Sequence, residues 1–202
     1  MIIARGAEGI LKKEKFLGLD AVVKDRVKKG YRQPELDARL RKARTKMEAK
    51  LLHGAKLAGV LCPVVYATSG SELIVSLIEG NSLRELLREN KAEDISANQI
   101  LKLTGEALAK MHSAGIVHGD FTTANVLVSS GKPWIIDFGL GQFCDEEEEK
   151  AYDLLIMKRA LAKKQLAPFL SGYSSYVDAK RIEKKLAEIE SRGRYVVRSM
   201  VK

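Results

Sequence analysis

The feature that most constrains this chain is a polar segment in its middle, divided in two by a predicted turn. Residues 118–125 read His-Gly-Asp-Phe-Thr-Thr-Ala-Asn, and Asp137-Phe138-Gly139 begins twelve residues after Asn125. Between them, two short apolar runs flank the turn residues Ser129-Ser130-Gly131. This arrangement is typical of a β-hairpin. The sequence therefore predicts a polar loop, a hairpin and a second polar loop in succession.

The residue types in these two loops indicate phosphoryl transfer. That reaction needs a carboxylate to orient the attacking hydroxyl or water, or to accept its proton, and oxygen ligands to hold Mg²⁺ against the phosphates. Asp120 suits the first role, and Asn125 and Asp137 suit the second. The spacing matches the protein-kinase pattern H-R-D-L-x-x-x-N followed by D-F-G. The alternative, that these residues only shape a polar turn, is disfavoured because all the identities occur together at fixed spacing.

The N-terminal part of the chain, as far as Glu79, predicts a small antiparallel sheet and one long helix. From Pro34 to about Leu57, apolar positions recur at spacings of three and four, as on an amphipathic helix. These positions are Leu36, Leu40, Ala43, Met47 and Leu51. Short apolar runs before and after this helix predict strands. The runs are residues 9–11, 16–19, 21–24, 64–66 and 73–78.

The second part of the chain has mainly helical patterns. A capping box at Ser82-Leu83-Arg84-Glu85 begins one helix, Ser96 begins another, and helical periodicity returns from Asp145 to about Ser191. The predicted fold class is α+β: a minimal two-lobed protein-kinase-like fold, with a small antiparallel N-lobe sheet plus one long helix and a truncated helical C-lobe. The predicted parts are the N-lobe, 1–79, the C-lobe, 80–191, and a basic C-terminal tail, 192–202.

Upstream residues supply two further catalytic groups. A kinase needs a strand lysine for the α- and β-phosphates and a helix glutamate that holds it. Lys24 and Glu48 fit these roles by their position before the polar loops. Taken singly, Lys24 fits a solvated cation at a strand end, and Glu48 fits an intrahelical partner of Arg44.

Two segments are candidates for binding the nucleotide itself. Gly6, Ala7, Glu8 and Gly9 lie where a phosphate-binding loop belongs, although a simple β-turn fits them equally well. The segment that begins at Ser76 fits the hinge between the two lobes of a kinase, whose extended backbone forms hydrogen bonds with adenine. There the C=O of Ser76 and the N–H of Ile78 are the candidate contacts.

Four segments of the sequence resemble the KEOPS-complex kinase family, also called PRPK-like or piD261-like. They are the opening Arg5-Gly-Ala-Glu, residues 28–32 with 45–49, the loop 118–123, and Arg192-Gly193-Arg194. The resemblance implies an atypical serine/threonine kinase or ATPase that uses ATP and Mg²⁺. It also implies work within KEOPS, beside the threonylcarbamoyl transferase subunit, in making threonylcarbamoyl-adenosine on tRNA.

Departures from ordinary protein kinases narrow this expectation. Gly119 replaces the arginine that grips a phosphorylated activation loop, and Thr122 stands where a lysine approaches the γ-phosphate. No A-P-E motif follows Gly139, and the sequence from there to Lys202 is too short for the substrate platform of a full kinase. These features favour an ATPase, or a kinase whose substrates are held by partner subunits, over a free-standing protein kinase.

Three other functions remain as alternatives. A small-molecule phosphotransferase of the aminoglycoside or choline kinase type shares the H-G-D-x-x-x-x-N loop. A RIO-type kinase is a second, although the catalytic loops of that family lack Gly-Asp-Phe-Thr-Thr and its D-F-G is altered. The third is a non-catalytic tRNA-binding scaffold, which has no chemical need for the full set of site residues.

The charge balance favours polyanionic partners. The chain has 35 Lys and Arg against 26 Asp and Glu, a net charge of +9, which suits RNA or nucleotides. Arg192, Arg194 and Arg198 in the tail, with part of the basic helix, are predicted to contact tRNA. Asp153 is predicted to hold the backbone N–H groups of the catalytic loop.

The cysteines and the apolar runs favour a cytoplasmic protein. Cys62 and Cys144 lie far apart in the sequence and outside any metal-binding motif, so neither a disulfide framework nor a zinc site is expected. Every apolar run is shorter than the roughly 18 residues that a membrane-spanning helix needs. We therefore expect neither a membrane span nor a membrane partner.

Overall fold

A computed structural model describes residues 2–5, 9–88 and 95–199 of the chain. Its N-terminal part is a five-stranded antiparallel sheet with the strand order β1-β2-β3-β5-β4. The strands are β1 (Ile2–Arg5), β2 (Gly9–Phe16), β3 (Leu19–Arg26), β4 (Val65–Ser69) and β5 (Glu72–Ser76). The central strand β3 pairs with β2 on one side and β5 on the other. Lys24 therefore lies on a strand that is hydrogen-bonded to a neighbour on each side.

Leu17 and Gly18 form the turn of the β2–β3 hairpin. Their φ angles are positive, 50° and 83°, as expected for a two-residue turn that follows the twist of its strands. Phe16 pairs with Leu19 across the turn. The predicted strand over residues 16–19 is therefore wrong, because its apolar Leu17 occupies the turn and is 88% exposed.

The long helix α1 (Pro34–Leu57) has the predicted bounds but a different buried face. Up to Glu48, its buried residues are Asp37, Thr45 and Glu48 itself. The predicted stripe residues Leu36 and Met47 are 39% and 41% exposed. The predicted apolar face is thus wrong over this part of the helix, because ion pairs and hydrogen bonds draw the polar side chains inward.

The C-terminal part consists of five helices and two small sheets within the described residues. The helices are α2 (Leu83–Arg88), α3 (Ile95–Ser113), α4 (Glu147–Ala160), α5 (Lys163–Tyr173) and α6 (Ala179–Ser199). One sheet contains β6 (Asn81–Ser82), β8 (Val126–Ser129) and β9 (Lys132–Ile135), and the other pairs β7 (Ile116–Val117) with β10 (Gln142–Phe143). Helix α6 continues past the predicted end near Ser191. The predicted α+β kinase-like class is confirmed.

Helices α3 and α5 form the closest helix pair of the C-lobe. A Cβ atom on Gly105 would lie 2.0 Å from the carbonyl oxygen of Phe169, and one on Gly172 would lie 1.9 Å from that of Lys102. Both positions therefore need glycine so that the two backbones can touch. Tyr173 and Phe169, both fully buried, fill the space beside this crossing.

Backbone and side-chain hydrogen bonds connect the two lobes. The N–H of Ile135 in β9 donates to the carbonyl of Leu61, which precedes β4, at 2.8 Å. On α3, the Lys110 ammonium donates to the carbonyl of Gly59 at 3.3 Å. The segment 58–64 thus ties α1 to the C-lobe. Among the described helices, none is long and apolar enough to cross a membrane.

Candidate active site

Lys24, Glu48 and Asp137 come together between the lobes. The Lys24 ammonium lies 2.7 Å from Glu48 Oε1 on α1 and 2.6 Å from Asp137 Oδ1 after β9. The side chains of Lys24 and Glu48 are 12% and 3% exposed. Strand β3, helix α1 and the Asp-Phe-Gly turn each contribute one residue. The structure therefore brings together the predicted lysine, the predicted glutamate and one predicted metal ligand.

Arg26 is a site residue that the sequence analysis missed. Its guanidinium donates to Glu48 Oε2 at 2.6 Å and is 4% exposed, so Glu48 holds one cation on each oxygen. A Cβ atom on Gly139 would lie 3.0 Å from Lys24 Nζ and 3.5 Å from Arg26 Nη2. The signal that could have found Arg26 is its spacing from Lys24, because residues two apart on a strand face the same side.

Asp137 has an unusual backbone conformation and an altered acidity. Its φ is 61°, which is uncommon outside glycine, and the N–H of Gly139 donates to its Oδ1 at 3.2 Å. Burial by itself raises the pKa of this carboxyl, but the Lys24 ammonium and the Gly139 N–H outweigh it, so the pKa lies below its ordinary value. Asp137 is therefore ionised at neutral pH, as a metal ligand must be.

Asp120 and Asn125 form a second pair in the loop before β8. The Asn125 amide nitrogen donates to the backbone carbonyl of Asp120 at 2.8 Å and to its Oδ2 at 2.9 Å. These bonds orient the Asp120 carboxylate. They also use the nitrogen of the Asn125 amide, so that its oxygen is the atom left to serve a cation. Asp137 and Asn125 thus supply the hard oxygen donors that Mg²⁺ prefers.

His118 connects the two groups. The N–H of Asp120 donates to His118 Nδ1 at 3.3 Å, and His118 Nε2 lies 3.0 Å from the carbonyl of Ile136. Because Nδ1 accepts, the ring proton is on Nε2 and is donated to Ile136. The N–H of Ile136 in turn donates to the carbonyl of Asn125 at 3.0 Å. The loop that holds Asp120 is therefore bonded to the residue just before Asp137.

Asp153 on α4 accepts hydrogen bonds from the backbone of the loop that contains Asp120, which confirms its predicted structural role. Its two oxygens accept the N–H groups of His118 at 2.7 Å and Gly119 at 2.9 Å. His112 Nε2 lies 3.3 Å from the same carboxylate, and its Nδ1 lies 2.8 Å from the Tyr173 hydroxyl. Burial lowers the pKa of His112 despite the bond to Asp153. A buried network thus links the loop to α3, α4 and α5.

Gly119 is required by the loop geometry itself. Its φ is +78°, and a Cβ atom there would lie 2.4 Å from the carbonyl oxygen of Leu140. An arginine at this position would therefore clash with the backbone after the Asp-Phe-Gly turn. The absence of the kinase arginine therefore has a steric cause, and its regulatory meaning stays a prediction.

The predicted nucleotide-binding segments are only partly described. Ser76 ends β5, where its N–H donates to the carbonyl of Val64 at 2.8 Å. Ile78 follows in the irregular segment before β6. Gly9 begins β2, where a Cβ atom would lie 2.6 Å from the carbonyl of Asp25. Gly6, Ala7 and Glu8 lie outside the described residues.

The predicted nucleic-acid residues are also only partly described. Arg192 on α6 lies 3.3 Å from Glu148 in the first turn of α4 and is 60% exposed. Arg181 pairs with the neighbouring Glu147. The acidic start of α4 therefore faces the basic helix α6 as well as complementing its own helix dipole. The side chains of Arg194 and Arg198 lie outside the described part of the molecule.

This chain is similar to known proteins over most of its length. A family model described as the RIO domain matches residues 13–160. A probable bifunctional tRNA threonylcarbamoyladenosine biosynthesis protein of Methanobrevibacter smithii is 42% identical, over 96% of this chain and 36% of its own length. A KEOPS complex subunit Bud32 of Pyrococcus abyssi is 37% identical, over 99% of this chain and 98% of its own length. The chain thus spans about a third of the bifunctional relative and nearly all of Bud32.

Proposed function

Because this chain belongs to the RIO domain family and is a relative of KEOPS subunit Bud32 along nearly its whole length, we propose that it is an ATP-dependent phosphotransferase with ATPase activity. ATP is its substrate and Mg²⁺ its cofactor. The observation that carries the proposal is the cluster of Lys24 with Glu48 and Asp137. Beside it lies the pair of Asp120 and Asn125, whose loop His118 bonds to the carbonyl of Ile136, next to Asp137. A folding core needs no such set of polar groups.

Each side chain has a distinct task in this proposal. Lys24 binds the α- and β-phosphates, and Glu48 keeps its ammonium in place. Asp120 orients the attacking water or hydroxyl and accepts its proton. Asn125 and Asp137 would hold Mg²⁺, which when bound neutralises negative charge on the phosphates. Ser76 and Ile78 contact adenine, and residues 6–9 cover the phosphates.

The names of the relatives support a proposal for the physiological setting. We place the chain in KEOPS, where its ATP hydrolysis or phosphoryl transfer supports threonylcarbamoyl-adenosine formation on tRNA beside the transferase subunit. Arg192, Arg194 and Arg198 are proposed tRNA contacts. Gly119 and Thr122 favour water or a partner-held hydroxyl as the acceptor, since both depart from the loop of a free-standing protein kinase.

The distinction between RIO-type kinases and the KEOPS family, drawn from the loop sequence, is wrong for this chain. The RIO domain model matches residues 13–160 of a chain that is also 37% identical to a Bud32 protein. The Gly-Asp-Phe-Thr-Thr loop is therefore compatible with a RIO domain.

The test is hydrolysis of γ-labelled ATP by the purified chain with Mg²⁺. Asp120→Asn should lower turnover at least about 100-fold, because a positioned general base contributes that much or more. Glu14→Gln, an exposed carboxyl on β2, is the control and should leave turnover unchanged. Equal turnover by Asp120→Asn and wild type would refute the assignment. Faster transfer to a small alcohol than to water or protein would instead identify a small-molecule phosphotransferase.

A further inference from the structure

A pocket lined by cations lies at the start of α1, and it shares Arg26 with the cluster of Lys24, Glu48 and Asp137. We call it the cationic pocket. Its lining residues are Arg26, Val27, Lys29, Arg32, Arg41 and Arg44. Its volume is about 10 Å³, room for a single water-sized group such as one phosphate oxygen. Five of the six lining side chains carry a positive charge at neutral pH.

A buried carboxylate organises this pocket. Asp37, which is fully buried, accepts from Arg41 Nε at 2.7 Å and lies 3.7 Å from Arg32 Nη1. It also accepts the backbone N–H of Lys29 at 3.3 Å. The bond to Arg41 keeps the pKa of Asp37 below its ordinary value. One ionised acid thus holds two of the five cations, Arg32 and Arg41, in place.

An exposed aromatic ring stands beside the pocket. The N–H of Arg32 donates to the carbonyl of Lys29 at 3.1 Å, which closes a turn with Gly30 and Tyr31 at its tip. Tyr31 is 79% exposed, and the Arg32 guanidinium lies 5.2 Å from its ring centre. Exposed aromatic rings next to phosphate-binding cations are typical of proteins that bind single-stranded nucleic acid, because every base has a face to stack.

We propose that the cationic pocket and Tyr31 bind one unpaired nucleotide of RNA, with one phosphate oxygen at the pocket and the base stacked on the ring. A second observation favours RNA over a phosphorylated peptide. Four more basic side chains of α1 are exposed along the helix that follows the pocket, which suits a repeating phosphate backbone. They are Arg39, Lys42, Lys46 and Lys50. The proposal rests on the proposed function only in taking RNA as the partner.

The test is fluorescence anisotropy of the full chain with a short labelled single-stranded RNA and with a duplex of the same length. Tyr31→Ala should weaken single-strand binding about tenfold, leave its salt dependence unchanged and affect duplex binding little. Tyr31→Phe, which keeps the ring, should bind as wild type does. Equal affinities of wild type and Tyr31→Ala for the single strand would overturn the base contact.

The phosphate contact is tested by the salt dependence of RNA binding. Arg32→Gln should weaken binding and lower the slope of log affinity against log salt by about 0.7, the effect of one single-strand phosphate contact. Arg44→Gln, at an exposed position of the pocket, should do the same and covers the case in which Arg32→Gln fails to fold. Lys180→Gln on α6, also exposed, is the control and should leave the slope unchanged. An unchanged slope in Arg44→Gln would overturn the phosphate assignment.

Two further readouts separate this site from the proposed function. ATP turnover of Tyr31→Ala without RNA should equal that of wild type, since Tyr31 is 79% exposed and is not among the residues of the catalytic cluster. A wild-type chain that binds RNA as described but lacks ATP turnover would refute the proposed function and leave this site standing. A phosphoserine peptide that displaces RNA from the wild type at a lower concentration than unlabelled RNA would assign the pocket to a phosphoprotein instead.

Discussion

At the residue scale, the Glu48 carboxylate holds two cations of the catalytic cluster in place, because Lys24 and Arg26 each form an ion pair with it. Arg26→Gln should lower the free energy of unfolding by about 3 kcal/mol, as expected when one partner of a buried ion pair is removed. It should also lower ATP turnover, since Glu48 is then free to turn away from Lys24. Urea denaturation and ATP hydrolysis measure the two effects.

A double-mutant cycle shows whether Arg26 acts through Glu48. In a Glu48→Gln background, Arg26→Gln should cause a much smaller loss of stability, because its ion pair with Glu48 is already gone. Lys46→Gln, an exposed substitution on the same helix, is the matched control. Equal losses from Arg26→Gln in both backgrounds would show that Arg26 acts independently of Glu48.

His112 predicts how stability depends on pH. Burial holds its pKa below the ordinary value of 6.5, so the unfolded chain binds the proton more readily than the folded one. Its contribution is therefore complete above about pH 6.5 and is lost as the pH falls from there toward the folded pKa, by at most about 1.4 kcal/mol per pH unit. Urea midpoints should fall from pH 7.5 to 5.5 in wild type and fall less in His112→Gln. The same fall in both proteins would contradict the assignment.

At the element scale, the α3–α5 crossing predicts a strong effect of one methyl group. Gly105→Ala should lower the free energy of unfolding by about 3 kcal/mol or more, because the new Cβ would lie 2.0 Å from a backbone carbonyl that cannot move alone. Gly54→Ala in α1 is the matched control. There the nearest atom is the end of the Ile116 side chain at 3.1 Å, so thermal unfolding should change far less. Similar losses from both variants would contradict the packing argument.

Helix α1 shows what sequence patterns can and cannot predict about an element. Its bounds follow from Pro34 and the periodicity, but its orientation does not, since Glu48 and Asp37 face inward while Leu36 and Met47 remain partly exposed. Apolar periodicity assumes that burial of hydrocarbon sets the helix face. Here partners distant in sequence set it, as happens where function competes with local rules.

At the scale of the whole molecule, the short polar motifs predict the kinase-like fold and the main site residues. Their contacts depend on long-range geometry: Lys24 meets Asp137 across 113 positions of sequence. Arg26 was not predicted as a site residue, because a basic residue near a strand end is expected to be exposed to solvent. Its burial becomes clear only when its partner Glu48 on α1 is known. The cationic pocket was not predicted for a similar reason. The sequence does not show that Asp37 is buried and forms ion pairs with Arg32 and Arg41.

The cluster of Lys24, Glu48 and Asp137 is proposed to hydrolyse ATP in support of tRNA modification. The most direct measurement is Mg²⁺-dependent ATP turnover by the chain, alone and with the transferase subunit and tRNA, for wild type and Asp137→Asn. Partner and tRNA should raise turnover by wild type, whereas Asp137→Asn should remain inactive in every mixture. Turnover by Asp137→Asn that matches wild type, with or without the partners, would contradict this proposal.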